Sequence, residues 1–285
     1  MLIAQVSDIH LGFGLPQAPT DGNVPNLNRF RRVMAAVTSL RQKPDLILFT
    51  GDLVEGGSNW AYPILKDEIS SIDIPIYNVL GNHDCRDSYK AVFGGTDFIN
   101  GKLAYTIEDL PVRIVILDTL QIGRHHGEFN KSDSEWLEKT LSGAPSKPTI
   151  LVLHHPPIET GIGWMTPKDN DPWIVRLKAV IERHKQVVHI LAGHIHCHIS
   201  GTFAGRPITV SRSVAPSVAL EFEEIDPSIP DGRTMIVDDA PGYTLHQWTG
   251  KELRSYSQTA TSGDILVKYD ANHAFIPSVT LDLLD

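Results

Sequence analysis

Five segments of the sequence place carboxylate, amide and imidazole side chains directly after apolar runs. The segments are "SDIH", "TGDLVEG", "LGNHD", "HHPP" and "GHIHCH", and the side chains considered are Asp8, His10, Asp52, Asn82, His83, Asp84, His154, His155, His194, His196 and His198. Each segment alone would be an ordinary turn or strand end, because Gly, Asn and Asp favour turns. Together they would gather ionisable groups that are costly to remove from water unless a counter-charge is present. A divalent metal supplies that charge, and the five segments therefore predict a metal site.

The types of donor narrow the choice of metal and the number of ions. Oxygen and nitrogen donors without thiolate favour Mn, Fe, Zn, Co or Ni over Cu(I) or an iron–sulfur cluster. The donors are too many for one four-coordinate zinc ion. Two ions that share a bridging carboxylate, at the separation of about 3.5–4 Å common in phosphatases and nucleases, would use them all. The two cysteines, Cys85 and Cys197, are too few for a disulfide framework, and the sequence assigns neither of them a role.

The elements that must position these side chains follow from the hydrophobic pattern. Apolar runs predict six buried strands, at residues 2–7, 45–50, 74–80, 113–118, 149–154 and 187–193. An amphipathic segment over 27–40 predicts a helix whose apolar face carries Leu27, Phe30, Met34 and Val37. Further helices are expected around 60–72, 133–141 and 172–184. This alternation is typical of α/β folds, in which ligands bind beyond the carboxyl ends of the strands.

The pattern changes after residue 198 to short runs with β character, which are "ISGTFAG", "PITVS", "TMIVDD", "GYTLHQW" and "DILVKY". These runs predict a second, more antiparallel sheet, with a small cap element or an oligomerisation surface. No repeat, low-complexity segment or proline-rich linker separates this tail from the rest of the chain. We therefore expect one domain over residues 1–285, with the metal core in residues 1–200 and a C-terminal β-rich part from about 200 to 285.

Composition and charge restrict the class of protein. A chain of 285 residues with 41% hydrophobic and 21% charged residues has the composition of a soluble globular protein with a sizeable core. The net charge of −9 argues against a nucleic-acid polymer as partner, because phosphate contacts need clustered Lys and Arg. The start "MLIAQVSDIH" lacks the basic and apolar regions of a signal peptide, and no run reaches the ~20 apolar residues of a membrane span. The sequence predicts a cytoplasmic protein with no membrane partner.

The ordered set "DIH", "GDLV", "GNHD", "HHPP" and "GHIH" resembles the calcineurin-like metallophosphoesterase superfamily. Within it, the chain is most similar to the bacterial class III cyclic-nucleotide phosphodiesterase and glycerophosphodiesterase branch. The resemblance covers residues 8–196 and implies a four-layer αββα sandwich of two mixed sheets flanked by helices. It implies two metal ions as well. The implied ligands are Asp8, His10 and His196 for the first metal and Asn82, His154 and His194 for the second, with Asp52 bridging the two and His83 facing the substrate.

The roles of three neighbouring side chains stay open. The family pattern stops at His196, although an ideal strand would project His198 to the same side as the ligands. His198 would then either orient a ligand or be an ordinary strand-end histidine. Asp84 and His155 have the same two alternatives, because each would either support a neighbouring ligand or only satisfy a turn.

The resemblance implies a metal-dependent phosphodiesterase for small diesters, either a 3′,5′-cyclic nucleotide such as cyclic AMP or a glycerophosphodiester. Two cations that bridge a water would lower its pKa and create a hydroxide nucleophile near neutral pH. His83 would hydrogen-bond the phosphoryl group or the leaving oxygen and protonate it, or else would only stiffen its loop. The alternatives are a phosphomonoesterase or broad ester hydrolase, a nuclease and a non-catalytic scaffold. The acidic balance opposes a nuclease, and the complete ligand set opposes a scaffold.

Loops outside the metal core would set the substrate, and they comprise residues 12–26, 123–130 and 158–173. Asn82 and His83 are expected to contact the substrate. Further candidates are His125 and His126 for contact with the leaving group, and Trp164 and Trp173 for stacking on a base. Solvent exposure of the histidines and local packing of the tryptophans are the alternatives. The resemblance also implies a homo-oligomer that pairs through the C-terminal region.

Overall fold

Strands and helices alternate through the first two-thirds of the chain, as the hydrophobic pattern predicts. The computed structural model describes residues 1–94, 97–261, 266–273 and 275–281. Its elements are β1 (Leu2–Val6), α1 (Leu27–Thr38), β2 (Leu46–Thr50), α2 (Ala61–Ile69), β3 (Ile76–Val79), α3 (Arg86–Phe93), β4 (Phe98–Ile99), β5 (Lys102–Leu103), β6 (Tyr105–Ile107), β7 (Arg113–Leu117), α4 (Lys131–Ser142), β8 (Thr149–Leu153), α5 (Pro172–Arg183), β9 (Val187–Ala192), β10 (Ile199–Phe203), β11 (Arg206–Val210), β12 (Ser217–Val218), β13 (Ile236–Val237), β14 (Gly242–Trp248), β15 (Leu253–Thr259) and α6 (Phe275–Thr280). A short 3₁₀ turn, Glu55–Gly57, follows β2.

Two mixed sheets form the centre of the fold. The first has the strand order β15-β14-β1-β2-β3, in which β1, β2 and β3 are parallel and β14 and β15 are antiparallel neighbours at one edge. The second has the order β10-β11-β9-β8-β7-β6, with β7, β8, β9 and β11 parallel and β6 and β10 antiparallel at the two edges. The carboxyl ends of the parallel strands in each sheet therefore lie along a shared edge of that sheet.

The hydrophobic core is divided into three layers by the two sheets. Alternate residues of a strand face opposite sides, so Leu46 and Leu48 of β2 pack against Ile114 and Ile116 of β7 between the sheets. The other face of the first sheet packs on α1, α2 and α3. The other face of the second sheet packs on α4 and α5. This arrangement is a helix, sheet, sheet, helix sandwich, and the predicted four-layer α/β fold is confirmed.

The six predicted strands and the four predicted helices are all present, with boundaries within a few residues of the expected ones. The helix α1 buries the predicted apolar face, which includes Leu27, Phe30, Met34 and Val37. The sequence pattern gave no prediction for α3 or for the strands β4, β5 and β6. These strands are two or three residues long, too short for a periodic pattern.

The prediction of a separate sheet for the tail is wrong. The tail strands β10 and β11 extend the second sheet beside β9, whereas β14 and β15 extend the first sheet beside β1. Only the two-residue strands β12 and β13 pair on their own within the described tail. Of the predicted run at 264–269, residues 264 and 265 lie outside the described residues, and 266–269 form no strand. The tail thus completes both central sheets.

None of the described helices is both long and apolar enough to cross a bilayer.

Candidate metal centre

The predicted ligands lie in five loops that leave the carboxyl ends of parallel strands. Residues 7–10 follow β1, residues 51–55 follow β2 and residues 80–84 follow β3 in the first sheet. Residues 154–155 follow β8 and residues 193–198 follow β9 in the second sheet. Because the two sheets pack face to face, the five loops meet at one end of the sandwich. The centre is therefore built from both sheets.

The backbone of these loops is unusual. Asp8, His10, Asp52, His194 and His196 all have positive φ, between 46° and 74°. They are five of the eight non-glycine residues with positive φ in the described chain. Such conformations cost of order 1–3 kcal/mol each and cluster at functional sites, where the surrounding structure holds them. The strained residues coincide with the predicted ligands.

One glycine shows how closely these loops approach one another. A Cβ atom at Gly81 would overlap the Asp52 carboxylate and the His154 imidazole. The "LGNHD" segment therefore needs glycine at this position, because any side chain would push the β3 loop away from the β2 loop.

The first group of donors consists of Asp8, His10, Asp52 and His196, whose ligand atoms lie within 4.8 Å of one another. The Nε2 atoms of His10 and His196 are 3.0 Å apart. His10 Nε2 is 3.4 Å from Asp52 Oδ2, and His196 Nε2 is 3.6 Å from Asp8 Oδ1. Two carboxylates and two ring nitrogens thus converge on one point.

The outer nitrogens of these two imidazoles fix their tautomers. His10 Nδ1 is 2.7 Å from Glu55 Oε2, and His196 Nδ1 is 2.8 Å from the carbonyl oxygen of Pro216. A carboxylate and a carbonyl accept hydrogen bonds, so both Nδ1 atoms donate. The two rings then direct their Nε2 atoms at each other. A cation between them and the carboxylates would satisfy all four groups.

The second group lies on the other side of Asp52. His154 Nδ1 donates to the carbonyl oxygen of Thr50 at 2.8 Å, which leaves its Nε2 directed at the centre. That Nε2 atom is 3.2 Å from Asp52 Oδ2 and 3.3 Å from Asn82 Oδ1. The ring of His194 packs against that of His154 with centroids 5.1 Å apart. Asn82, His154 and His194 are therefore brought together with Asp52.

Asp52 stands between the two groups. Its Oδ2 atom faces both His10 Nε2 and His154 Nε2, while Oδ1 accepts the backbone N–H of His83 at 2.8 Å. Burial disfavours the carboxylate form of Asp52, but the charge and hydrogen bond of His154, together with His10 and His83, outweigh burial and hold its pKa well below the usual value. Asp52 is thus an ionised, buried carboxylate in contact with both donor groups.

The histidines of the second group differ in charge preference. Burial disfavours the charged form of His154, yet attraction to Asp52 raises its pKa to about 9. Burial and the neighbouring His154 hold the pKa of His194 well below the usual value. The nitrogen atom of His154 that favours a proton faces Asp52, at the position where a metal cation would interact with both.

Glu55 belongs to the centre, although the sequence did not predict it. Its Oε2 accepts from His10 Nδ1 at 2.7 Å, and its Oε1 lies 3.1 Å from His83 Nδ1. Burial opposes the ionised form of Glu55, but the hydrogen bonds of the two histidines lower its pKa to about 2. Burial likewise opposes a charge on His83, whereas Glu55 and Asp52 raise its pKa to about 9. One carboxylate therefore holds a predicted ligand and the predicted proton donor.

Asp84 joins the β2 loop to the β3 loop. Its buried carboxylate accepts the backbone N–H groups of Leu53 at 3.1 Å and Gly81 at 2.9 Å, and the hydroxyl of Tyr62 at 2.9 Å. Burial, reinforced by the negative charge of Asp52, raises the pKa of Asp84 to about 6. Asp84 thus stabilises the loops that carry Asp52 and Asn82. Of its two predicted roles, support of a neighbouring ligand or completion of a turn, these contacts agree with support.

His155 lies closer to the centre than expected for a residue that only satisfies a turn. Its Nδ1 is 2.8 Å from Thr119 Oγ1, and its Nε2 is buried without a hydrogen-bond partner among the described residues. Its ring centroid is 4.8 Å from that of His154 and 4.7 Å from that of His194. Ligand atoms of these three histidines lie within 4.8 Å of one another.

His125 also reaches the centre, although His126 and His198 do not join its donor groups. His125 Nδ1 is 3.2 Å from Asn82 Nδ2, and its ring centroid is 5.5 Å from that of His83. His126 is exposed, with Nδ1 3.3 Å from its neighbour's carbonyl oxygen. His198 is exposed as well and lies 3.4 Å from Ser200 Oγ. The contact with His125 leaves Asn82 Oδ1 free to face His154.

The segment that contains His194, His196 and His198 is not a strand. The strand β9 ends at Ala192 and β10 begins at Ile199. Positive φ at His194 and His196 turns the chain between these strands. The three histidines therefore do not lie on one side, as they would in an ideal strand. His198 is exposed to solvent and lies outside the donor groups.

The two cysteines take no part in the donor groups. Cys197 is buried in the core of the second sheet, and burial raises the pKa of its thiol to about 11. Cys85 is a free, half-buried thiol directly before α3. The donors of the centre are thus oxygen and imidazole nitrogen, the set preferred by borderline divalent cations, and these residues fit such ions.

Comparisons with known proteins agree with this geometry. The family model described as calcineurin-like phosphoesterase matches residues 1–198. The chain is 31% identical over 257 residues to a probable glycerophosphodiester phosphodiesterase of Arcobacter nitrofigilis, and the alignment covers 88% of this chain and 90% of the relative. It is 34% identical over 234 residues to a probable cyclic nucleotide phosphodiesterase of Synechococcus, and the alignment covers 81% of this chain and 84% of the relative. It is 28% identical over 271 residues to a 3′,5′-cyclic adenosine monophosphate phosphodiesterase of Escherichia coli, with 92% and 94% covered.

Solved structures share the fold at low sequence identity. A dimetal phosphatase from Danio rerio superposes with a TM-score of 0.64 at 14% identity, over 92% of this chain and 97% of that one. GAP50, the anchor in the inner membrane complex of Plasmodium, superposes with a TM-score of 0.59 at 16% identity, over 94% and 87%. These likenesses concern the architecture of the sandwich.

Proposed function

Because this chain belongs to the calcineurin-like phosphoesterase family, we propose that it hydrolyses small phosphodiesters with two divalent cations. The observation that carries the proposal is the position of Asp52, whose Oδ2 atom faces one histidine from each of two donor groups. A carboxylate in this place would hold two ions at a short separation, about 3.5–4 Å in two-metal hydrolases.

We assign the ligands by the two donor groups. Asp52 would bridge the ions. Asp8, His10 and His196 would hold the first ion, and Asn82, His154 and His194 would hold the second. The oxygen and nitrogen donors favour Mn, Fe, Zn or Co. When bound, the cations supply positive charge for the phosphate oxygens and lower the pKa of a water molecule.

The protein's own groups position the substrate and transfer the proton. His83 projects from the β3 loop with 26% of its side chain exposed, and Glu55 holds its Nδ1 atom. Because Glu55 holds Nδ1, we assign to Nε2 the donation of a hydrogen bond to the phosphoryl group or the protonation of the leaving oxygen. Asn82 and His83 both contact the substrate in this account. His125, in contact with Asn82 and beside His83, belongs to the same face.

The functions described for the relatives support two classes of substrate. One relative is described as a probable glycerophosphodiester phosphodiesterase, and two others are described as phosphodiesterases of cyclic nucleotides. Either a glycerophosphodiester or a 3′,5′-cyclic nucleotide such as cyclic AMP is therefore the substrate we propose. We propose neither a nucleic-acid polymer nor a membrane as partner, since the net charge is −9.

The direct test compares Mn-reconstituted protein on cyclic AMP and on glycerophosphoethanolamine, each with and without a chelator. We expect turnover of at least one diester that the chelator abolishes and added Mn²⁺ restores. The matched variant is Asp52→Ala, which should lose metal as well as activity. Turnover that is unaffected by the chelator, or an Asp52→Ala protein that keeps two metals per chain, would contradict the proposal.

We further propose a single cytoplasmic domain that pairs with a second copy through its C-terminal part. The free cysteines agree with a reducing compartment. Exposed apolar side chains in the tail, among them Leu220, Phe222 and Ile236, agree with an interface there. Light scattering of the full chain and of a Leu220→Ser, Ile236→Ser variant tests the pairing. A monomeric mass for the full chain would contradict it.

A further inference from the structure

A large cavity adjoins the metal centre. Its volume is about 860 Å³, and His155 and His194 of the centre lie in its lining. Pockets that enclose small ligands measure about 300–1,000 Å³. A glycerol group on a phosphate bound at the metals would fill only a small part of this space, which is large enough to admit a group of nucleoside size.

Two hydrogen-bonded loops form the walls. In the first, the N–H of Glu128 donates to the carbonyl oxygen of Thr119 at 2.9 Å, which fixes the end of the lining segment 123–127. In the second, the N–H of Thr160 donates to Thr166 Oγ1 at 2.7 Å, and the N–H of Met165 donates to the carbonyl oxygen of Ile162 at 2.8 Å. The cavity is thus bounded by ordered backbone rather than by side chains alone.

The second wall presents mainly apolar surface. Trp164 and Met165 line the cavity and are half-buried, since they also pack on the core of the second sheet. The Nε1 atom of Trp164 is buried. The part of the indole that lines the cavity is therefore carbon and not its polar atom. Arg124 of the first wall lines the cavity too and adds hydrogen-bond donors.

We propose that this cavity is the subsite for the alcohol group of the diester, and that Trp164 makes it select a planar aromatic alcohol, a nucleoside, over glycerol. The inference rests on the proposed phosphodiesterase function, because it places the reacting phosphate at the metals beside His194. Stacking of a base on the indole explains an aromatic wall next to a site for phosphate. Trp164 is then a residue that determines specificity.

The experiment measures binding, so that it does not depend on turnover. Adenosine 5′-monophosphate and glycerol 3-phosphate carry the same phosphate group and differ in the alcohol. Calorimetry with Mn-loaded protein should show at least tenfold tighter binding of the nucleotide. The Trp164→Ala variant should lose roughly 5- to 100-fold of nucleotide affinity, the range that base stacking supports. Its affinity for glycerol 3-phosphate should not change, and Trp164→Phe should keep most of the nucleotide affinity.

The matched control is Phe222→Ala. Phe222 is exposed and packs against Gly161 of the same loop, but it does not line the cavity. It should bind both ligands as the wild type does. Equal affinity of the wild type for the two ligands would overturn the proposal, as would a Trp164→Ala protein that keeps its preference or a Phe222→Ala protein that loses it.

Turnover separates this inference from the proposed function. If the nucleotide preference depends on Trp164 while neither diester is hydrolysed, the subsite stands and the phosphodiesterase function fails. If glycerophosphoethanolamine is hydrolysed and the two ligands bind equally, the function stands and the subsite fails.

Discussion

At the scale of single residues, hydrogen bonds of the outer ring nitrogens determine which nitrogen of each histidine faces the centre. His10, His154 and His196 donate Nδ1–H to Glu55, to the Thr50 carbonyl and to the Pro216 carbonyl. Their Nε2 atoms thereby face the carboxylates of Asp8 and Asp52. Second partners of this kind fix the tautomer and orientation of metal-binding histidines, and their loss typically lowers metal affinity. The protein's own hydrogen bonds thus orient the donors.

Replacement of His83 should lower turnover without loss of metal. In His83→Asn we expect kcat to fall about 100-fold or more, because general acid catalysis contributes typically 10²–10⁴-fold. Steady-state kinetics on the preferred diester, with metal content measured on the same sample, checks this. His273→Asn, a histidine that lies in neither the donor groups nor the cavity lining, is the control and should keep full activity. Unchanged turnover of His83→Asn at full metal content would show that His83 only stiffens its loop.

Replacement of Glu55 should weaken metal binding. The Glu55→Gln side chain keeps its shape but loses the charge that orients His10 and His83. We expect metal affinity to fall roughly 10- to 100-fold, the usual cost of losing such a partner. Competition with a chelating dye measures this, and Glu252→Gln, an exposed carboxylate, serves as control. Wild-type affinity in Glu55→Gln would mean that the first ion does not depend on His10 being held.

The sequence predicted the donors of the centre and offered Asp84 as a possible support, but it missed the support that Glu55 gives. Asp8, Asp52 and His194 were predictable because each follows a buried strand, and parallel strands end at a common edge. Glu55 was not predictable from its segment, since "TGDLVEG" gives no hint that the 3₁₀ turn Glu55–Gly57 brings the carboxylate to two histidines. His198 could not be placed because the turn at His196 breaks the strand geometry that would have oriented it.

At the scale of elements, the β2 and β3 loops behave as one unit. Asp84 accepts backbone N–H groups from both, and the Tyr62 hydroxyl on α2 donates to Asp84 and accepts the N–H of Cys85. A buried carboxylate is stable only with such partners. These bonds position Asp52 relative to Asn82, which are the bridge and a ligand of the second ion in the proposed site.

Removal of the Tyr62 hydroxyl should destabilise this unit. In Tyr62→Phe we expect the free energy of unfolding to fall by about 1–2 kcal/mol, because a buried acceptor and a buried N–H each lose a partner. Urea unfolding in the presence of chelator measures this apart from metal binding. Tyr256→Phe is the control, since Tyr256 is 47% exposed. An unfolding free energy equal to that of the wild type would show that the hydrogen bonds of this hydroxyl do not stabilise the two loops.

The strands were predictable one by one, whereas their partners in the tail were not. Local hydrophobic runs mark β1 and β14, but nothing in either run says that Leu2 pairs with Gln247. Strand pairing over such a separation depends on the packing of the whole sandwich. The predicted second sheet in the tail therefore failed, although four of its five runs contain strands.

At the scale of the whole molecule, buried histidines away from the centre link stability to pH. Burial lowers the pKa of His189 to about 4, and burial with the nearby His189 lowers the pKa of His246 to about 3. Both are neutral in the folded protein, while in the unfolded chain they take up protons below about pH 6.5. The contribution of these two neutral histidines to stability is thus full above about pH 6.5 and is lost as the pH falls towards about 4.

The variant His189→Gln should flatten this dependence. One proton taken up only on unfolding changes the unfolding free energy by up to about 1.4 kcal/mol per pH unit. Between pH 6.5 and pH 4.5 we expect the unfolding free energy of the chelator-treated variant to fall less steeply than that of the wild type. The difference in slope should be up to about 1.4 kcal/mol per pH unit. Urea unfolding at several pH values measures it, with His126→Gln as an exposed control. Equal slopes in all three proteins would contradict the assignment to His189.

The site and the function depend on one claim, that two ions share Asp52 where the two sheets meet. Anomalous diffraction from crystals grown with Mn²⁺ tests it most directly. We predict two peaks about 3.5–4 Å apart, both in contact with Asp52. One peak should lie between Asp8, His10 and His196, and the other between Asn82, His154 and His194. A single peak, or an ion held by His154, His155 and His194 without Asp52, would contradict the account.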